Sequence, residues 1–272
     1  MKENTKVIVA GIIFIFLVAL AVGIYYFFIY EKPKEILPVQ EVPVEQPAQV
    51  PVEEPVIEEK APEMVQVELD RSDDIIRELA EELSSHPKVA SWLMSKDLIR
   101  KFVAAVDNIA NGLSPRPQID FFTLKGNFKV IEKDGIYYAN PEDYNRYNLV
   151  GDVFSSLNSE DFVKLYGQSK LLIQEAYQDL GYPEKDFDKT LTTAIIELLK
   201  VPVVKGEILL ESKVISYTMA DSELENMSEA QKHLFRMGPE NVRKIQAKLR
   251  EIATALGIPE KRLPQSKIYS PR

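Results

Sequence analysis

Apolar residues recur every three or four positions through most of the chain after residue 66, and this spacing predicts amphipathic helices. In "DDIIRELAEEL", residues 73–83, Ile75, Leu79 and Leu83 fall four apart, and acidic residues occupy the first turn, where the helix dipole favours them. The same reasoning predicts further helices over 87–94, 96–112, 143–157, 158–181, 188–200 and 228–237, and a last helix that begins at Pro239.

Two stretches depart from the helical period and favour strands. Residues 128–139, "FKVIEKDGIYYA", place two strand-prone runs on either side of Lys-Asp-Gly, which predicts a β-hairpin. Residues 207–219, "EILLESKVISYTM", indicate a second hairpin or an extended pair. The predicted fold class is therefore mainly α, a single helical domain over 66–260 with one or two small β-hairpins, followed by a C-terminal tail, 261–272.

The N-terminal region differs from the rest of the chain. Val7–Tyr30 carries no charge and, at about 1.5 Å per residue, would extend roughly 36 Å as a helix, enough to cross a bilayer core. A cleaved signal peptide is the alternative, but its apolar core is normally shorter and ends in small residues, whereas this run ends in tyrosines. The sequence thus predicts a transmembrane anchor, 7–30, behind a cytoplasmic tail, 1–6. The positive-inside bias is slight, and the short tail favours export of the chain that follows.

Residues 31–65 form a segment of low complexity. They hold seven of the seventeen prolines, and nine glutamates against three lysines give them a net charge of −6. Proline and like-charge repulsion keep such a segment extended, and it cannot bury enough apolar surface to fold. We predict a disordered linker, which serves either as a stalk of defined reach or as a tether of no defined length.

The residue inventory excludes several kinds of chemistry. The chain has no cysteine, so thiol catalysis and thiolate metal sites are excluded. Its only histidines, His86 and His233, do not have the spacing of a metal-binding pair, and no phosphate loop or dinucleotide motif occurs. No catalytic residue, metal or cofactor is therefore predicted. Carboxylates paired by the fold stay open as an alternative, because such pairs are spatial rather than sequential.

Charge is distributed unevenly along the chain. The total is −9, yet residues 231–272 carry ten lysines and arginines against three glutamates. This basic end either packs near the acidic body of the domain or contacts an anionic partner such as lipid headgroups or wall polymer. Nucleic acid is not expected as a partner, because the domain is predicted to be exported and no basic motif is interleaved with aromatic residues.

One short stretch, "HLFRMGPEN" at 233–241, stands out in a chain with little glycine. Gly238 is expected to close one helix in a left-handed conformation, and Pro239 to start the next helix. A simple corner would not require the polar residues beside it. The candidate binding residues are accordingly Arg236, Glu240 and Asn241, together with Arg146 and Tyr147 of "NRYN".

Four stretches resemble a known family in order and spacing, across roughly 68–256. They are "DLIRKFVAAVDNIANG", "NRYN", "AYQDLGYPEKDF" and "YTMADSELENMSEAQKHLFRMGPENVRKIQAKLREIA", and the family is the bacterial domain-of-unknown-function family 3014. The resemblance implies an anchor, a proline-rich linker and one C-terminal domain, as in a single-pass protein of the inner membrane whose domain faces the periplasm. It implies no activity.

The leading functional hypothesis is a non-enzymatic binding or scaffold domain of the cell envelope. Its expected partners are the lipid bilayer, through residues 7–30, and an unidentified envelope protein or wall component. The alternative hypothesis is a periplasmic hydrolase that acts on cell-wall material through carboxylates.

Overall fold

The computed structural model describes Met64, residues 66–119 and residues 128–270. The predicted tail, 1–6, the predicted anchor, 7–30, and all of the predicted linker except Met64 lie outside the described residues. Within the described part, no helix is both long enough and apolar enough to cross a membrane.

Helices make up most of the described chain, as the sequence predicts. Their caps follow the sequence closely: Asn158 accepts hydrogen bonds from two backbone amides of its helix, and Ser228 forms a reciprocal capping box with Gln231. The α-helices are α1 Asp73–Leu79, α2 Pro87–Leu93, α3 Leu98–Ala110, α4 Asn148–Ser155, α5 Ser159–Gln168, α6 Lys170–Asp179, α7 Phe187–Leu199, α8 Ser222–Glu225, α9 Glu229–Phe235 and α10 Pro239–Ala255. Short 3-10 helices occur at Leu69–Arg71, Glu81–Leu83, Arg116–Gln118, Pro141–Tyr147 and Glu260–Arg262.

The core lies between α3, α7 and α10. Helix α3 packs on α6 and α7, while α10 packs on α4, α5 and α7. The predicted apolar seam of α10 is buried at Val242, Ile245, Leu249 and Ile252, and Val103 of α3 is fully buried. Burial of these faces on one another is the main favourable term that holds the helices together.

The predicted hairpins join in one small antiparallel sheet of order β1-β2-β4-β5. Its strands are β1 Val130–Lys133, β2 Ile136–Ala139, β4 Leu209–Ser212 and β5 Tyr217–Met219, and Tyr138 of β2 pairs with Leu209 of β4. Asp134 and Gly135 both have positive φ, the conformation that a tight hairpin turn requires. The sequence did not predict that the two hairpins share a sheet.

The described chain beyond residue 260 continues the fold. Leu263 is buried, and β6 Ile268–Tyr269 pairs in parallel with β3 Val203–Val204, which forms a second, two-stranded sheet. Residues 261–270 therefore pack on the domain that precedes them.

The long helix expected over 158–181 is two helices, α5 and α6, interrupted at Ser169. Ser169 is almost fully buried, and its ψ of 2° departs from helical geometry. The interruption follows from packing, because α5 lies against α10 whereas α6 lies against α3. Apolar spacing alone cannot separate two helices that share one period but face different neighbours.

Candidate functional site

At the corner between α9 and α10, one helix ends before Gly238 and the next helix begins at Pro239. Pro239 occupies the first turn of α10, and Gly238 precedes it with φ 84° and ψ 161°. Its φ is positive, as predicted, but its ψ is extended rather than left-handed helical, so that part of the prediction was wrong. A Cβ on Gly238 would lie 2.4 Å from Cγ of Tyr144, so the 3-10 helix Pro141–Tyr147 packs directly on the corner.

Asn241 lies beneath this corner and is only 1% exposed. Its Nδ2 donates to the carbonyl of Met237 at 2.8 Å, to Oδ1 of Asn148 at 3.0 Å and, at 3.4 Å, to the carbonyl of Tyr144. A Cβ on Gly151 of α4 would lie 2.4 Å from Oδ1 of Asn241, so only glycine fits there. Asn241 thus ties α10 to α4 and to residues 144–148 through its amide nitrogen, while its Oδ1 is buried and makes no hydrogen bond to any described residue.

Glu240 lies on the outside of the corner. Its carboxylate contacts Lys244 at 3.2 Å, one turn further along α10, and its side chain is 76% exposed. Lys244 also contacts Asp152 of α4 at 2.9 Å. Exposed pairs of this kind contribute little to stability. Nothing in this arrangement directs Glu240 towards the other candidate residues.

Arg146, Tyr147 and Arg236 are close in space, although about ninety residues separate them in the chain. The guanidinium of Arg146 lies 5.7 Å from the centre of the Tyr147 ring, within the range of a cation–π contact. Arg236, which caps the C-terminal end of α9, and Arg116 of the 3-10 helix Arg116–Gln118 both act electrostatically on Tyr147. We call Arg116, Arg146 and Arg236 the arginine cluster.

The titration of two neighbouring side chains reflects this concentration of positive charge. Burial raises the pKa of Tyr147, while Arg146, Arg236 and Arg116 oppose that rise and Asp143 adds to it. Burial, Arg236 and Arg116 lower the pKa of His233, and Glu229 acts against them. Tyr147 and His233 therefore both lie within the electrostatic field of the same arginines.

We expect the stability of the domain to fall as the pH drops through the titration of His233. Its folded pKa lies below the 6.5 of an unperturbed imidazole, so the unfolded chain takes up the proton first. The loss begins near the unfolded value and ends once the pH is below the folded value. Urea denaturation of His233→Gln between about pH 7.5 and pH 5 should lack this component.

His86→Asn is the matched control, because His86 is the chain's other histidine. His86 caps α2, where its Nδ1 accepts a hydrogen bond from the amide of Lys88, and asparagine is also a good capping residue. This variant should retain the loss of stability that His233 causes. An unchanged pH dependence in His233→Gln would contradict the assignment.

A large apolar cavity lies among the first seven helices, with α9 and α10 at one side. Its volume is about 480 Å³. Many of its apolar side chains are only half-buried, including Trp92, Phe102 and Phe154, so the cavity opens to the surface. The lining residues that the structure assigns to α3 and to the segment after it are Leu98, Ile99, Lys101, Phe102, Ala105, Ile109, Pro115, Gln118 and Ile119.

Two members of the arginine cluster, Arg116 and Arg236, border this cavity. His233 and Met237 line it on either side of Arg236 in sequence, and Pro115 and Gln118 line it next to Arg116. The Oγ of Ser114 lies 3.4 Å from Nδ1 of His233, so the segment that carries Arg116 is held against α9. Hydrophobic lining and positive rim are therefore parts of one site.

Two acidic residues elsewhere in the described chain, Asp188 and Glu225, are held in structural contacts. Burial opposes ionisation of Asp188, but hydrogen bonds from Lys170 and Tyr166 outweigh it and lower the pKa of Asp188. Burial likewise opposes ionisation of Glu225, and Lys232 with the amide of Met219 lowers its pKa. A carboxyl that donates a proton requires the opposite shift. The described residues contain no group of three or more potential metal ligands.

Sequence reasoning missed two parts of the site. Arg116 follows a Ser-Pro turn with no local periodicity, and only the contact between Ser114 and His233 shows that it lies beside Arg236. The cavity was missed because apolar residues that line a void have the same helical spacing as apolar residues that fill a core. Neither feature has a signal in the sequence of this chain alone.

Comparison with known proteins identifies a family but no function. No curated protein and no solved structure matched the chain. Residues 98–253 match a family described as a protein of unknown function, DUF3014, and they include α3 to α9, most of α10, the arginine cluster and most of the cavity wall. Since the match covers more than half of the 272 residues, the chain belongs to the DUF3014 family.

Proposed function

We propose that this protein is a non-enzymatic binding protein of the cell envelope, and that its helical domain binds a ligand with an apolar chain in the cavity. The observation that carries this proposal is the cavity itself, about 480 Å³ within a domain of modest size. This volume lies within the range of about 300–1,000 Å³ typical of small-molecule sites.

An empty cavity of this size would be unfavourable for the folded state. Protein interiors are close-packed, and their few voids rarely exceed the size of a water molecule. Because the cavity opens to the surface, apolar side chains such as Trp92, Phe102 and Phe154 would face water if it were unfilled, which costs about 25 cal/mol per Å² of apolar area left exposed. Water molecules in the cavity would form few hydrogen bonds to the protein, because the wall offers few hydrogen-bonding groups. An apolar chain is the occupant that the wall favours.

The proposed location comes from the sequence. The uncharged run 7–30 is long enough to be a transmembrane anchor, and the proline- and glutamate-rich linker, 31–65, would let the domain reach away from the bilayer. We propose a single pass through the inner membrane with the domain in the periplasm. In that position the bilayer is both a partner and a source of ligands with apolar chains. The second expected partner is a protein or wall component that exchanges the ligand.

Trp92 provides a direct test, because it lines the cavity and is the only tryptophan in the chain. Full-length protein in lipid nanodiscs would be titrated with a fatty acid brominated in mid-chain, a contact quencher of indole fluorescence. We expect saturable quenching of Trp92. Linear quenching without saturation, the pattern of random collision with labelled membrane, would contradict the proposal.

Ala105→Phe supplies the matching variant, because Ala105 lies on the cavity wall in α3. Overfilling a packed site costs about 1–3 kcal/mol, so the apparent affinity should fall by roughly tenfold or more. Ala247→Phe makes the same substitution at an exposed position of α10 and should leave the quenching curve unchanged. Circular dichroism of both variants would establish that each remains folded.

A further inference from the structure

We propose that the arginine cluster binds the anionic head group of a single-chain amphiphile whose acyl chain lies in the cavity. The ligand class is a fatty acid or a lysophospholipid, and the shared chemistry is a carboxylate or phosphate at the end of one apolar chain. This inference rests on the proposed function and adds the polar half of the same ligand.

Hydrogen bonds bring the three arginines together from separate parts of the chain. Arg116 is held next to α9 by the contact between Ser114 and His233, and its own amide donates to Oγ of Ser114 at 3.3 Å. The segment that carries Arg146 is held to the α9–α10 corner by Asn241, which bonds both to it and to the carbonyl of Met237. These hydrogen bonds hold the segments that carry the three arginines.

Two of the three arginines in the cluster, Arg116 and Arg236, form no ion pair with an acidic side chain among the described residues, although Glu225 lies within electrostatic range of Arg236. Among the described residues, no carboxylate lies within 4.0 Å of the guanidinium of Arg116 or Arg236, and both side chains are exposed. Arg146 has Asp143 at 3.9 Å, and Glu229 acts on His233 nearby. Guanidinium groups bind carboxylates and phosphates through paired hydrogen bonds, so Arg116 and Arg236 beside the cavity, with Arg146 within electrostatic range, favour an anionic oxygen group.

The shape of the cavity suits a chain that starts at this cluster. Helix α3 forms one wall from Leu98 to Ile109, which at about 1.5 Å per residue spans roughly 16 Å. The arginine cluster lies at the Ile109 end, because Arg116 follows α3 by only a short turn. The site is therefore elongated, with a charged end and an apolar remainder, which is the distribution of polarity in an amphiphile.

Inside the cavity, one polar group also indicates a ligand. Ser169 lines the wall and is 2% exposed, and its Oγ makes no hydrogen bond to any described residue. Leaving a buried hydroxyl unsatisfied is unfavourable, so such groups usually have a partner. The ester oxygens of a lysophospholipid would supply one, whereas the hydrocarbon chain of a fatty acid would not. The lining thus has an independent feature that a purely structural void would not require.

The test compares acid and neutral forms of one chain on the full-length protein in nanodiscs, with Trp92 quenching as the readout. A brominated fatty acid and the corresponding lysophosphatidic acid should bind about tenfold or more tightly than the methyl ester of the same fatty acid. If the fatty acid binds more tightly, the head group is a carboxylate; if the lysophosphatidic acid binds more tightly, it is a phosphate. In Arg116→Gln and Arg236→Gln, the ratio of acid to ester affinity should fall by roughly tenfold.

Arg243→Gln is the matched control, because Arg243 is an exposed arginine of α10 outside the cluster. It should leave the ratio of acid to ester affinity unchanged. Equal binding of acid and ester, or an equal loss of the ratio in Arg243→Gln, would overturn the head-group assignment while leaving the cavity intact. Absence of saturable quenching by all three probes would instead reject the proposed function.

Discussion

Replacing Gly238 with alanine should lower the free energy of unfolding by about 3–5 kcal/mol, because two unfavourable effects coincide there. The backbone at Gly238 has φ 84° with an extended ψ, a conformation that residues with a Cβ rarely adopt. The added Cβ would also lie 2.4 Å from Cγ and 2.7 Å from Cβ of Tyr144. Because the Cβ of Tyr144 is attached to the backbone, rotation of the Tyr144 ring cannot relieve this contact. Urea denaturation would measure the loss in free energy of unfolding.

Gly257→Ala separates the two contributions. Gly257 follows α10 with φ 74°, but a Cβ there would have no atom within 4 Å. Backbone strain alone should cost about 1–2 kcal/mol. The larger loss in Gly238→Ala would then measure the contact with Tyr144 together with the added strain of the extended ψ at Gly238. Equal losses in the two variants would show that the 3-10 helix Pro141–Tyr147 moves freely aside, contrary to the packing of the corner.

The structural elements that could be predicted from the sequence are those determined by residues close to one another in the chain. Ser228 and Gln231 have the spacing of a capping box, and Asp134-Gly135 favours a tight turn because both residues tolerate positive φ. The apolar seam of α10 follows the helical period and is buried as predicted. Each of these signals lies within a few residues, so the chain alone specifies it.

The features that the sequence could not supply depend on which elements meet. The break at Ser169 arises because α5 and α6 pack on different helices, and the joining of the hairpins arises because β2 meets β4. Arg116 and Arg236 come together through Ser114 and His233, which are 119 residues apart. Long-range contacts of this kind leave no periodicity for a single sequence to display.

The candidate site shows the same division. Arg236, Arg146 and Tyr147 were singled out from the chain, and the structure places them within electrostatic range of one another, with Arg236 at the edge of the cavity. Asn241 was singled out for its polarity beside a glycine-proline pair, and the structure buries it within the corner. A polar side chain next to a turn is consistent either with a ligand contact or with an internal hydrogen-bond network, and only its burial distinguishes them.

Asn241→Asp should destabilise the domain by about 3–5 kcal/mol at neutral pH, although the two side chains are nearly identical in shape. The amide nitrogen of Asn241 faces three acceptors, the carbonyls of Met237 and Tyr144 and Oδ1 of Asn148. An aspartate oxygen in that position would repel all three and would carry a buried charge. Loss of the donor also leaves these acceptors without their partner, which adds to the cost.

The pH dependence of this variant identifies the cause. The acceptors around residue 241 disfavour a carboxylate, so the pKa of the introduced acid in the folded state must exceed the unfolded value of about 3.9. The folded protein then binds the proton more tightly, and the destabilisation grows as the pH rises from about 4 through the folded pKa. Asn145→Asp, at an exposed position that already accepts a hydrogen bond from Asn148, should cost less than about 0.5 kcal/mol. A loss in Asn241→Asp that does not vary with pH would mean that a change in packing, not a buried charge, is responsible.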